Sequence, residues 1–153
     1  MRRSLARGLL QGTGMRRILV GVDGSPESGR AADQAAELAR SLDAKLLLAY
    51  VVSLPAALGP EPFELTNWEI AERAHARDLL EELGGRYRKE GIPVETAMPS
   101  GPPAETLADM AVPDDVELVA VGHRGRGSLA RVLLGSVADR LVQISPKPVL
   151  VGR

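Results

Sequence analysis

The sequence predicts an α/β protein: a five-stranded parallel sheet, open and doubly wound, with helices on both faces. Three observations carry this. Strand-like apolar runs alternate with helical patterns along the chain, and parallel strands need the crossover connections that helices supply. The runs Ile18 to Val22 and Lys45 to Ala49 are apolar on both faces, as strands covered from both sides must be. Aromatic residues make up 3% of the chain against 44% hydrophobic residues, so the core is built from Ala, Val, Leu and Ile, which let helices lie close to a sheet. At 153 residues a single core suffices, since a chain of this length buries roughly two-thirds of the surface it exposes when unfolded.

The first strand is expected at Arg17 to Val22. Ser25, Pro26 and Glu27 then supply an N-cap, a proline in the first turn and an acid at the positive end of a helix. Ala31, Ala35, Leu38 and Leu42, with Ala32, Ala36 and Ala39 beside them, form its apolar face. A second strand runs from Lys45 to Val52. A long helix from about Phe63 to Lys89 carries Leu65, Trp68, Ala71, Leu79, Leu80 and Leu83. The third strand, Ile92 to Met98, alternates and contains Pro93, which marks an edge. A short helix follows Gly101, Pro102 and Pro103, with Ala104, Leu107, Ala108 and Ala111 on one side. The fourth strand is Val116 to Gly122. The last helix starts at Gly135, shows Val137, Ala138, Leu141 and Val142 as its apolar set, and stops at Ser145 and Pro146. Pro148 to Gly152 closes the chain as a fifth strand.

Composition excludes several functions. A formal net charge of −1 creates no field that would gather nucleic acid or an anionic membrane. The absence of cysteine removes disulfides, thiolate metal sites and thiol catalysis, and makes the cytoplasm the expected compartment. No apolar run reaches the length of a membrane span, and no secretory leader pattern is visible. Residues 1–14 carry three Arg and no acid, a faint likeness to a transit peptide. They read better as a disordered or start-site extension before one domain over 15–153.

The stretch with the most chemistry joins the fourth strand to the last helix. Gly122 and Gly125 admit positive φ and close approach to a ligand. Gly135 and Ser136 stand where the last helix begins, and the first N–H groups of a helix lack internal partners and carry the positive end of its dipole. Such a strand, glycine loop and helix start form an anion cradle. Arg124 and Arg126 make it basic and suit charge-assisted bonds to phosphate, whereas Arg131 reads as solvated. In a doubly wound sheet, ligands bind beyond the carboxyl ends of the strands where the winding reverses. Asp23, Val51 with Val52, and Gly122 are all placed there.

Other motifs are weaker. Gly125, Gly127 and Ala130 fit G-x-G-x-x-A, but no acid follows on a later strand to hold a ribose, so a dinucleotide site is not expected. No G-x4-G-K-[S/T] is present. A receiver-like phosphoacceptor would need an acidic cluster after the first strand, where only Asp23 stands. With two histidines and no cysteine, neither a zinc site nor a nucleophile triad assembles. Asp23 also suits a turn cap, and the glycines suit plain turns. Trp68 suits packing, His75 the surface of the long helix, and His123 is not expected to be a catalytic base.

Gly122-x2-Gly125-x9-Gly135-Ser136 resembles the G-x2-G-x9-G-[S/T] nucleotide motif of the universal stress protein family. The likeness extends to Ile18 through Pro26, to Tyr50, Val51 and Val52, and to Ser145 through Val151, so it spans Arg16 to Arg153. It implies a Rossmann-like fold of the adenine nucleotide alpha hydrolase type and an ATP-binding, regulatory protein rather than a fast enzyme. The implied ATP site is Val22 and Asp23 beside the nucleoside and Val51 at adenine. Gly122, Arg124, Gly125, Arg126, Gly135, Ser136 and Val137 complete it at ribose and phosphates, with Mg or Mn carried among the phosphates. The resemblance also implies a homodimer through the C-terminal strand, Val149 to Val151. One departure is His123, where many relatives carry serine and where a larger ring could restrict the loop. A nucleotide-independent dimeric interaction module and a slow ATP hydrolase are the alternative expectations.

Overall fold

In the computed structural model the chain winds from β1 (Arg17–Gly21) through α1 (Pro26–Leu42) to β2 (Lys45–Ala49). It continues through α2 (Pro62–Lys89) to β3 (Val94–Ala97), then α3 (Pro103–Met110), β4 (Val116–Gly122), α4 (Ser136–Ile144) and β5 (Val149–Gly152). The structure describes residues 15–54, 62–124 and 134–153, with backbone alone at 62–65. The expected extension 1–14, the side chain of Leu65, and Gly125, Arg126 and Arg131 lie outside the described residues.

All pairings are parallel, in the order β3-β2-β1-β4-β5. The chain moves outward from β1 to β3, returns across β1 to β4, and moves outward again to β5. Winding therefore reverses between β1 and β4. Ile18 and Val20 of β1 are fully buried on the side of α1 and α2, and Leu19 is fully buried on the side of α3 and α4. This two-sided cover is why the central strands carry no polar alternation. β3 is an edge, as Pro93 indicated, and the strand begins one residue later than that proline because Pro has no N–H for the ladder; the Pro93 carbonyl accepts instead from Leu46 N at 2.9 Å.

Strand ends differ from the expectation in a way that matters for the site. β1 stops at Gly21 and β2 at Ala49, whereas strands to Val22 and Val52 were expected. Past β2 the chain is held by the end of β3 and the residues after it: Tyr50 N donates to Ala97 O, Val52 N to Pro99 O, and Gly101 N to Val52 O. β4 runs to Gly122 as expected.

α1 has the start that its sequence encodes. The Ser25 hydroxyl accepts from Ser28 N at 3.1 Å, Pro26 opens the first turn, and the helix ends at Asp43 in the left-handed region. Ala31, Ala32, Ala35, Ala36 and Ala39 are buried, so the helix backbone comes close to the sheet. Gly122 and Gly152 complete this approach. A Cβ at Gly122 would stand 2.7 Å from the backbone of Glu27 and Ser28, and one at Gly152 would stand 2.6 Å from Ala31 Cα. The expected positive φ at Gly122 is not found; among the described glycines it occurs at Gly24, Gly91 and Gly101. Gly122 is glycine because a helix passes over it.

Two helical faces are also corrected. In α2 the buried stripe is Ala76, Leu80, Leu83 and Tyr87, with Trp68 and Leu79 partly buried against it. Ala71 is exposed, because five residues before Ala76 is more than a third of a turn away from that stripe. In α4, Ala138 and Leu141 are buried while Val142 is 54% exposed, since the next residue round a helix turns about 100° away from the sheet.

The register of β1 against β4 is tied at its start. Arg17 N donates to Asp115 O, and the Arg17 guanidinium donates to the Asp115 carboxylate from Nε at 2.7 Å and Nη2 at 3.0 Å. That hydrogen bond holds the Asp115 carboxyl below its ordinary range. A depressed carboxylate contributes stability above the unfolded-state value, and the contribution is lost as pH falls through the lower folded value. Asp115→Asn should therefore melt below the wild type at pH 7, with the gap closing as both are taken into acid; melts at a series of pH values check this. Gly122→Ala should cost about 1–3 kcal/mol through overpacking, or several degrees of melting temperature. Gly85→Ala, in α2 where an added Cβ meets nothing within 4 Å, should raise stability by about 0.5–1 kcal/mol.

Candidate functional site

Where the winding reverses, the carboxyl ends of three strands surround a cavity of about 250 Å³. Gly21, Val22 and Asp23 come from β1 and the turn after it. Ala49, Tyr50, Val51 and Ser53 come from β2 and its continuation, and Val121, Gly122 and Arg124 from β4 and the residues after it. Pro103 and Leu107 of α3 close one side, and Gly135, Ser136, Val137 and Ala138 at the start of α4 close another. Eight of the ten expected site residues thus line one cavity: Val22, Asp23, Val51, Gly122, Arg124, Gly135, Ser136 and Val137. Gly125 and Arg126 lie outside the described residues. Val52, expected at the crevice with Val51, does not line it; Ser53 does.

Each wall has a local cause. Gly24, with φ +84°, turns the chain sharply after β1. Asp23 Oδ1 accepts from Ser25 N at 2.9 Å, and Asp23 N donates to Ser28 Oγ at 3.3 Å. Asp23 therefore caps this turn as well as facing the cavity. His75, on the exposed side of α2 as expected, lies against the same turn and meets Tyr50 edge-on with ring centroids 6.1 Å apart. The Tyr50 hydroxyl donates to the Glu72 carboxylate. This packing sets Tyr50, and hence the Val51 main chain, at the cavity floor.

Among the described residues, the start of α4 is a donor array without a side-chain cap. Gly135 is the N-cap, extended at φ −67° and ψ 161°, and among the described residues no side chain caps this helix. Gly135 N donates to His123 O at 2.6 Å, which brings the end of β4 beside the helix start. The amides of Ser136, Val137 and Ala138 have no intrahelical acceptors. Arg124 completes that wall, with Nη2 3.8 Å from Glu27 Oε1.

Among the described lining residues, Asp23 and Arg124 carry the formal charges, and the Tyr50 hydroxyl is committed to Glu72. The remaining surface is apolar side chain and main chain, with the hydroxyls of Ser28, Ser53 and Ser136. Such a site suits a neutral flat group at the apolar end and an anion at the helix start. Among the described residues no three His, Cys, Asp or Glu side chains gather to hold a metal ion. Tyr50, Ser53, Pro103 and Leu107 were missed in the sequence. The Pro102-Pro103 start of a helix was visible, but which strand ends it covers depends on strand order.

The profile of the universal stress protein family matches residues 14–153. This chain belongs to that family. The universal stress protein described here is 31% identical over 139 residues to a universal stress protein of Methanocaldococcus jannaschii, covering 89% of this chain and 81% of that one. Its structure is similar to universal stress protein UspA from Lactobacillus plantarum at a TM-score of 0.83 and 29% identity, covering 93% of this chain and all of that one (100%). A universal stress protein solved in complex with cAMP matches at a TM-score of 0.66 and 28% identity, over 91% of this chain and 97% of that one. No described helix is long and apolar enough to cross a membrane.

The turn cap made by Asp23 is open to test in this universal stress protein. Asp23→Ala removes the acceptor for Ser25 N and should lower stability by about 0.5–1.5 kcal/mol, while Asp23→Asn keeps an oxygen there and should stay near the wild type; denaturant melts of the two variants check it.

Proposed function

We propose that this universal stress protein binds an adenine nucleotide, ATP, in the switch-point cavity, as a regulatory ligand. The observation that carries the reading is the meeting, in one cavity, of a helix start that no described side chain caps (Gly135, Ser136, Val137) with the carboxyl ends of β1, β2 and β4. The apolar end, formed by Val51, Pro103 and Leu107, takes adenine; Val22, Asp23 and Gly122 face the ribose. The α4 amides and Arg124 take the phosphates, with Gly125 and Arg126 of the connecting loop contributing. The cAMP complex of a relative at 28% identity supports the ligand class.

A divalent ion, Mg or Mn, is held mainly by the phosphates, because Asp23 is the one acid among the described lining residues and its Oδ1 is engaged by Ser25 N. Fast hydrolysis needs a positioned base or water-orienting group, and Asp23 is poorly placed for that, so turnover is slow at most. Residues 15–153 act as one domain after an N-terminal extension. The protein works in the cytoplasm as a homodimer joined through Val149 to Val151, the partly exposed edge strand β5.

Calorimetric and thermal-shift titrations with MgATP, GTP and NAD test the reading. MgATP at a hundred times its Kd should add about 2.7 kcal/mol of stability, some 5–10 °C, with no comparable effect from GTP or NAD. Ser136→Pro sharpens the test, since proline at the first helical position suits the helix and the extended Gly135 before it but deletes one amide donor. It should leave the ligand-free melting temperature nearly unchanged and weaken ATP binding about tenfold. Absence of any shift with adenine nucleotides would favour a nucleotide-independent interaction module; phosphate release at a rate above a few per minute would make the protein an ATPase.

A further inference from the structure

His123 follows β4 directly and does not itself line the cavity, yet its ring joins two parts of the molecule. Nδ1 lies 3.2 Å from the Gly152 carbonyl oxygen, which also accepts from His123 N at 2.8 Å. Nε2 lies 3.1 Å from Arg124 Nε. A carbonyl oxygen can only accept and a guanidinium N–H can only donate. The ring must therefore carry its proton on Nδ1 and present a bare Nε2, and its partners fix that tautomer. Arg124, held by this acceptor, is the one cation among the described residues lining the cavity beside Gly135, Ser136 and Val137, and its other end faces Glu27 in the first turn of α1.

We infer that His123 is a positioning residue: its bare Nε2 holds the Arg124 guanidinium at the phosphate end of the cavity, and its Nδ1–H anchors that arrangement to the end of β5. A long, rotamer-rich side chain ordered only on binding loses freedom at the expense of affinity, whereas one ordered in the free protein does not. The ring thus sets how strongly the site prefers a phosphorylated nucleoside over the bare nucleoside. The inference rests on the nucleotide reading above.

The test has two arms. In the first, ATP and adenosine are titrated into the full chain for the wild type, His123→Asn, His123→Gln, Arg124→Ala and the His123→Asn/Arg124→Ala double variant. Asn keeps an N–H near Nδ1 but has nothing at Nε2; Gln reaches the Nε2 position with an acceptor oxygen. The ATP-over-adenosine affinity ratio should fall about three- to tenfold in His123→Asn, as for loss of one hydrogen bond. It should recover in His123→Gln, fall at least as far in Arg124→Ala, and fall no further in the double variant. In the second arm, long-range proton–nitrogen NMR on the ligand-free wild type should show His123 as the Nδ1–H tautomer. The chain has two histidines, so His75→Gln assigns the signals, and this arm decides even if a variant fails to fold. An unchanged ratio in His123→Asn, full additivity in the double variant, or an Nε2–H tautomer overturns the inference while leaving nucleotide binding intact. A wild type that binds neither ATP nor adenosine overturns both.

Discussion

The close approach of α1 to β4 and β5 is the constraint from which the rest of the site follows. A helix whose covered face is alanine meets strands that end in Gly122 and Gly152, and at both glycines a Cβ would fall within 2.7 Å of the helix. This lets α1, launched from the end of β1, lie across the reversal between β1 and β4. Its first turn, with Glu27 and Ser28, is thereby brought to the end of β4. A larger residue at either glycine would lift the helix and widen the gap between the strand ends that form the cavity.

Once those strand ends are held together, the electrostatics come from the main chain. Among the described residues no side chain caps the start of α4 behind Gly135, whereas α1 has a first-turn amide, that of Ser28, bonded to Ser25. The contrast between two helices opening on one cavity is physical: serine before α1 satisfies a donor internally, and glycine before α4 does not. Charge is added sparingly, with Asp23 partly engaged by its turn and Arg124 held between His123 and Glu27. On the proposed nucleotide reading, main-chain donors and one lining cation would do the holding.

The fold places the same site within reach of the sheet edge. His123 bonds to Gly152 through both main chain and ring, and Gly152 is the last residue of β5, an edge strand. The residues before the connecting loop and those after it are joined by the His123 to Gly135 hydrogen bond. Events at the helix start and at the outer strand are therefore separated by two hydrogen-bonded steps.

By itself the sequence determined the order and kind of every element, because two-sided apolar runs, alanine-rich helical faces, Ser25-Pro26 and the proline stops are local signals with local causes. It also marked Asp23, Val51, Gly122 and Gly135 as strand or helix ends, and the spaced glycines carried the family. Only the tertiary structure decided that Gly122 is needed for helix packing rather than for a positive φ, that Val142 and Ala71 face away from the core, and that Pro103, Leu107, Tyr50 and Ser53 share the cavity. It alone decided that His123 points at Gly152 and Arg124. Those facts depend on contacts between residues far apart in the chain, where strand order and the distance between helix and sheet set the neighbours, and no local pattern encodes either.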